Sequence, residues 1–309
     1  MNDQTPLHAG PTSEAARLDT TAVRAIVAGI MLAMFLSALE QTIVAPALPT
    51  IGRALGNIEL LSWVVTGYLI STTVVTPLFG KLSDIYGRRR MMLISISVFI
   101  FGSVACALAP SMELLIIGRV LQGVGGGGIL PLAQTVIADL LSPRERPLIQ
   151  SYTSVMFLAA SILGPVLGGL LTDHVHWSLI FWINLPMGLV ALILTDRALR
   201  RLPRNDRPHR LDLAGAGLMV AAALALLLAL AWGGVRYPWN SLTILGLFAA
   251  SAALWLAFGW RLLHAAEPFI PLTMLAKPVV LGISLAGFFS IGTIVGLSIF
   301  IPIYVELVL

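Results

Sequence analysis

The sequence predicts an all-α membrane protein, and three observations carry that prediction. Of 309 residues, 58% are hydrophobic and only 11% charged, where a soluble domain carries about a quarter charged residues. Mean hydropathy is +0.92. Apolar runs of about 20 residues recur, each long enough at about 1.5 Å per residue to cross a hydrocarbon core of roughly 30 Å. A β-barrel would show short alternating segments instead.

Taken in order, the runs place spans over Ala25 to Ala47, Leu60 to Phe79, Met91 to Ala109, Leu114 to Leu140, Leu148 to Leu171 and Leu179 to Leu194. Three more follow over Leu213 to Trp232, Leu242 to Leu263 and Val279 to Val305, giving about nine transmembrane helices. Residues 1–24 read as a polar tail without a cleavable signal peptide, so the first span acts as its own targeting signal. Residues 25–195 read as a six-helix bundle and 196–212 as a basic linker. Residues 213–265 hold two helices with no ionisable group in their apolar cores, and 266–309 hold the ninth span, after which the chain looks cut and not finished.

The net charge of +4 raises the question of a nucleic-acid partner, but the placement of the basic residues answers it differently. When alternate connections are assigned to opposite sides, sixteen of the 19 Lys and Arg residues fall on the side of the N-terminus. Arg53 and Arg236 fall on the other side and Arg119 inside a span. The excess marks the N-terminal side as cytosolic. The expected surroundings are therefore the bilayer of the cell membrane, crossed many times, with no nucleic acid.

Two ionisable residues lie well inside spans, Glu40 in the first and Arg119 in the fourth. Each costs roughly 2.5–3.5 kcal/mol to insert and is by default a functional-site hypothesis. Glu40 precedes Pro49 by nine residues and Arg119 follows Ser111 by eight, so on antiparallel helices they reach one level in the outer half of the membrane. The pair is either a fixed ion pair that holds helices together or a carboxylate that exchanges protons while Arg119 and substrate compete for its charge. Gln122, one turn from Arg119, extends the polar face, with Gln41, Thr42, Gln134 and Thr135 as lesser candidates.

The fourth span also contains Gly123 to Gly128, a literal G-x-G-x-x-G, but no strand precedes it, so the glycines serve close helix approach and not a dinucleotide. In the fifth span small residues at 160, 164 and 168 form a packing stripe, and Pro165 adds a kink. The single Cys106 reads as a small core residue. The five histidines fall in loops or near span ends, and neither a metal site, a cofactor nor an enzyme nucleophile is expected.

GKLSDIYGRRR, residues 80–90, interrupts this apolar chain with five charged side chains; the positive-inside rule explains the arginines but neither the glycines nor Asp84. Together with LGPVLGG in the fifth span, LLIIGRVLQGVGGGG in the fourth, LEQTIVAPALPTI in the first, WVVTGYLI in the second and FWINLPMG in the sixth, it resembles the major facilitator superfamily. The likeness is to its drug:proton antiporters of the fourteen-helix type.

The resemblance implies a gating loop of Gly80, Asp84, Gly87, Arg88 and Arg89, whose glycines allow a tight turn and whose Asp84 pairs with Arg88 in the outward-open state. It implies an antiporter motif of Gly164, Pro165, Gly168 and Gly169, with Ala160 in place of a first glycine. Glu40 stands where such proteins often carry aspartate. The implied function is efflux of amphipathic organic compounds driven by protons, by alternating access. The rival expectation is a truncated, non-transporting membrane protein or scaffold, because five helices of the implied second half are missing.

Overall fold

A computed structural model describes residues 20–200, 212–265, 267, 269, 277–290, 292 and 293. The chain divides into two compact units, Met1–Arg207 and Pro208–Leu309. Among the described residues eight helical stretches are long and apolar enough to cross a membrane. The expected ninth, Val279 to Val305, appears as a helix over Pro278–Ser290, and its later part lies outside the described residues.

In the first unit α1 (Thr20–Ile43) passes through a turn containing Pro46 into the short α2 (Leu48–Leu55). There Gly56 and Asn57, both at positive φ, turn the chain back. The expected spans were shorter than the helices that follow: α3 (Leu61–Tyr86), α4 (Arg88–Ala107), α5 (Met112–Leu140) and α6 (Arg146–His174). The helices of α5 and α6, at 29 residues each, reach about 43 Å and so exceed the hydrocarbon thickness. The sixth span is broken into α7 (Leu179–Trp182) and α8 (Asn184–Leu199). Pro186, which lacks an N–H, sits in the first turn of α8, where a missing donor is tolerated.

Helix α5 is the axis of this bundle. Lipid tails are as apolar as leucine, so helices in a bilayer associate through close packing and hydrogen bonds. The glycine run supplies both. A Cβ at Gly127 would strike Thr72 and Val75 of α3, and one at Gly125 would strike the backbone of Phe99 in α4. The freed carbonyls take hydroxyl donors: Thr76 on Gly127 at 2.9 Å, and Ser95 on Gly125 at 2.6 Å.

The linker expected from Asp196 starts later, because α8 carries that residue inside its last turn. In the second unit α9 (Leu213–Trp232) and α10 (Leu242–His264) form a hairpin. Asp212 caps α9 by accepting from the Gly215 N–H at 2.9 Å, and Ser241 caps α10 by accepting from Ile244. The Ser251 hydroxyl donates to the Ala222 carbonyl mid-way, and Arg261 pairs with Asp212 at 2.8 Å. The two apolar helices are thus joined at one end by a charge pair that their apolar cores do not announce.

Candidate functional site

Glu40 lies in the last turn of α1 and Arg119 in the third turn of α5, and both are buried to within 1% of full burial. An Arg119 Nη1 donates to Glu40 Oε1 as an ion pair and to Gln122 Oε1 at 2.7 Å. Its Nε donates to the Val64 carbonyl of α3 at 2.9 Å. The guanidinium carbon lies 4.3 Å from the Tyr68 ring centroid and 5.8 Å from that of Phe181, so aromatic faces complete its coordination.

The second carboxylate oxygen of Glu40 accepts from Asn184 Nδ2 at 2.5 Å. Asn184 also donates to Ser103 Oγ at 2.8 Å, Gln122 donates to the same oxygen at 3.1 Å, and Ser103 donates to the Phe181 carbonyl at 3.0 Å. Four helices, α1, α3, α4 and α5, together with the α7–α8 break, therefore converge on one buried network. A buried ion pair holds only when its remaining donors and acceptors are also satisfied, and here they are shared among neutral groups. Asn184, Ser103 and Tyr68 were not singled out in the sequence, although Asn184 and Tyr68 stand in the quoted FWINLPMG and WVVTGYLI.

The lesser candidates take no part. Gln41 donates to the Ser37 carbonyl, Thr135 to the Pro131 carbonyl, and Gln134 is exposed. Thr42 donates to the carbonyls of Leu39 and, across the helix pair, Ala160 at 2.9 Å. Cys106 is buried against Gln122. Among the described residues no cluster of His, Cys, Asp and Glu could hold a metal ion.

The stripe of α6 meets α1 directly. Ala160, Gly164 and Gly168 are buried, and a Cβ on Gly164 or Gly168 would run into Thr42 or the Ile43 backbone. Pro165 lies on the other, exposed face and the space around Gly169 is open, so the four motif residues divide between two faces.

In the turn expected to act as a gate the two glycines differ. Gly87, at φ +89°, ends α3 and begins α4, whereas Gly80 lies inside α3 with open space at its Cβ position and makes no turn. The tight turn expected of both belongs to Gly87 alone, because the backbone hydrogen-bonding of α3 carries on to Tyr86. Arg88 donates to Asp84 at 2.5 Å and Ser83 at 2.6 Å, and also to Asp139 at the end of α5 at 3.1 Å. Arg89 donates to Asp196 of α8 at 2.5 Å, which Arg200 shares at 2.6 Å. Adjacent arginines thus tie this turn to two different helix ends.

Known proteins resemble this chain in sequence and in fold. The sequence profile of the Major Facilitator Superfamily matches residues 30–213. Multidrug resistance protein 3 of Bacillus subtilis is 36% identical over 296 residues, which cover 94% of this chain and 58% of the relative. The multidrug transporter protein MdtP of the same organism is 36% identical over 281 residues, covering 91% and 52%. The chain spans about half the length of these curated relatives. Among solved structures, the partially occluded inward-open xylose transporter XylE of E. coli superposes with a TM-score of 0.53 at 18% identity, covering 79% of this chain and 60% of that one. The matched profile, the relatives and the fold agree: this chain belongs to the major facilitator superfamily, a family of membrane transporters and not of enzymes.

Proposed function

We propose that the chain forms one bundle, and the start of a second, of a proton-driven exporter of amphipathic organic compounds, working by alternating access. The observation that carries this reading is the buried Glu40 carboxylate held by Arg119 on one oxygen and Asn184 on the other. Arg119 keeps the Val64 carbonyl, Gln122 and the Tyr68 face when Glu40 accepts a proton. The cation therefore stays in place while its partner becomes neutral, and proton and cargo compete for one carboxylate. The names of the relatives, multidrug resistance and multidrug transport, support the cargo class. The basic excess on the side of the N-terminus supports a cytosolic N-terminus and an inner- or plasma-membrane location, with the Gly87 turn and its arginines as the cytosolic gate.

Alternating access needs two bundles rocking about a central site, and the described residues build one. That observation favours a second reading, a membrane protein without transport of its own. Vesicles containing this chain, loaded with a fluorescent lipophilic cation and given a proton gradient, separate the two. Gradient-driven release that Glu40→Gln abolishes supports the exporter. Release by Glu40→Gln equal to the parent overturns the proton site, and no release from inserted protein favours the second reading.

A further inference from the structure

At the basic end of the first unit a groove of about 570 Å³ opens between α4 and α8, within the range of roughly 300–1,000 Å³ typical of small-ligand sites. Its inner part is lined by Leu93, Leu192 and Ile193, with Ser97 one turn deeper than Leu93. Its mouth is formed by Arg197 and Arg200 around Asp196. Apolar surface continues beside it, with Ile193 50% and Leu189 45% exposed.

The charges at the mouth do not balance. Arg89 and Arg200 share the single carboxylate of Asp196. Arg197 is exposed and makes no hydrogen bond or ion pair among the described residues. Three guanidinium groups thus stand near one carboxylate, two of them at the end of a groove whose other walls are hydrocarbon apart from Ser97. A soluble anion would use the arginines and gain nothing from the leucines. A molecule with an anionic head and a hydrocarbon tail uses both, and the groove runs along the helices as a lipid chain does.

We propose that this groove holds an anionic phospholipid of the leaflet that meets the basic end of the bundle. The phosphate sits on Arg197 and Arg200, and an acyl chain lies along Leu93, Leu192 and Ile193. Basic pockets between membrane helices are a recurring means of retaining such headgroups. The site is separate from the Glu40 network and stands whether or not Glu40 carries protons.

The test is native mass spectrometry of the full chain released from detergent, titrated with phosphatidylglycerol or with phosphatidylcholine of identical acyl chains. Phosphatidylglycerol is expected to be retained about fivefold more strongly, and Arg197→Gln to remove most of that preference, on the scale of one surface arginine. Ile193→Trp, which fills the groove without touching the charges, is expected to weaken retention of phosphatidylglycerol. Equal retention of the two lipids, an unchanged preference in Arg197→Gln, or displacement of the lipid by an equal concentration of inorganic phosphate overturns the proposal. Should Arg197→Gln not fold, Ile193→Trp decides alone: retention equal to the parent overturns the groove.

Discussion

Asn184 donates at 2.5 Å to the Glu40 oxygen that Arg119 leaves free, across 144 residues of chain. The contact exists because α7 and α8 break at Ile183 and bring Asn184 to the start of α8. Replacing Asn184 with Leu, close in size but without an amide, strips donors from the carboxylate and from Ser103. A loss of about 1–3 kcal/mol follows from leaving a buried acceptor unmet. A lowered thermal midpoint in detergent checks it, and an unchanged midpoint contradicts the bond.

Arg119→Leu leaves the Glu40 charge without its partner and should destabilise by about 3–5 kcal/mol, the usual result of breaking a buried pair from one side. The double change Glu40→Gln with Arg119→Leu should cost less than the sum of the singles, because neither charge is then stranded. A double-mutant cycle on denaturant unfolding measures the difference. Simple additivity would show that the two residues do not interact.

The stripe and its neighbour give opposite results by position. Gly164→Val pushes into Thr42 of α1 and should lose about 1–3 kcal/mol, as overpacking does. Gly169→Ala, whose added methyl meets open space inside α6, should instead stabilise by about 0.5–1 kcal/mol. Thermal unfolding of the two variants side by side reads the contrast.

The two glycines of the GKLSDIYGRRR turn also part ways. Gly87→Ala forces an L side chain into φ +89° with an extended ψ and should cost about 1–3 kcal/mol. Gly80→Ala places a better helix former in an open position of α3 and should stabilise by about 0.5–1 kcal/mol. Equal effects at both positions would show that Gly80 shares the turn.

Glu145, just before α6, accepts from the Ser142 hydroxyl at 2.6 Å and the Ser142 N–H at 3.0 Å, and these hold its carboxyl below the ordinary range. With the folded value lowered, the stabilisation is present above the unfolded value of about 4.3 and is lost as pH falls through the folded one. Hydrogen exchange at the Ser142 amide, corrected for intrinsic rate, should therefore quicken in acid. Glu145→Gln should remove the pH dependence, whereas Ser142→Ala, which keeps the Ser142 N–H bond, should only reduce it.

The central pair was legible because a charge inside an apolar run is costly and therefore conspicuous. Glu40 and Arg119 stand out in the sequence, and their helix positions give their common level. Their supporting groups were not legible. Asn184 and Ser103 are neutral polar residues of a kind that spans tolerate for many reasons, and the Val64 carbonyl has no sequence signature at all. The spans were legible as apolar runs but their ends were not, since α3 continues through Lys81 and Asp84 until Gly87 stops it. Asp139, Asp196 and Asp212 lie at helix ends, where a carboxylate looks like an ordinary wetted terminus. Only folding shows that each meets an arginine from elsewhere in the chain.

The seam between α1 and α6 reaches further than packing. Gly164 presses against the Thr42 side chain and Gly168 against the Ile43 backbone, two and three residues past Glu40, and the Thr42 hydroxyl bonds across to the Ala160 carbonyl. A screw motion of α1 that lifted the acid would push on these contacts, which is a reason to expect the two rods to move together. The height of the carboxylate is thus geared to a helix whose outer face, at Val155, Leu158 and Ile162, is free to feel whatever lies beside it.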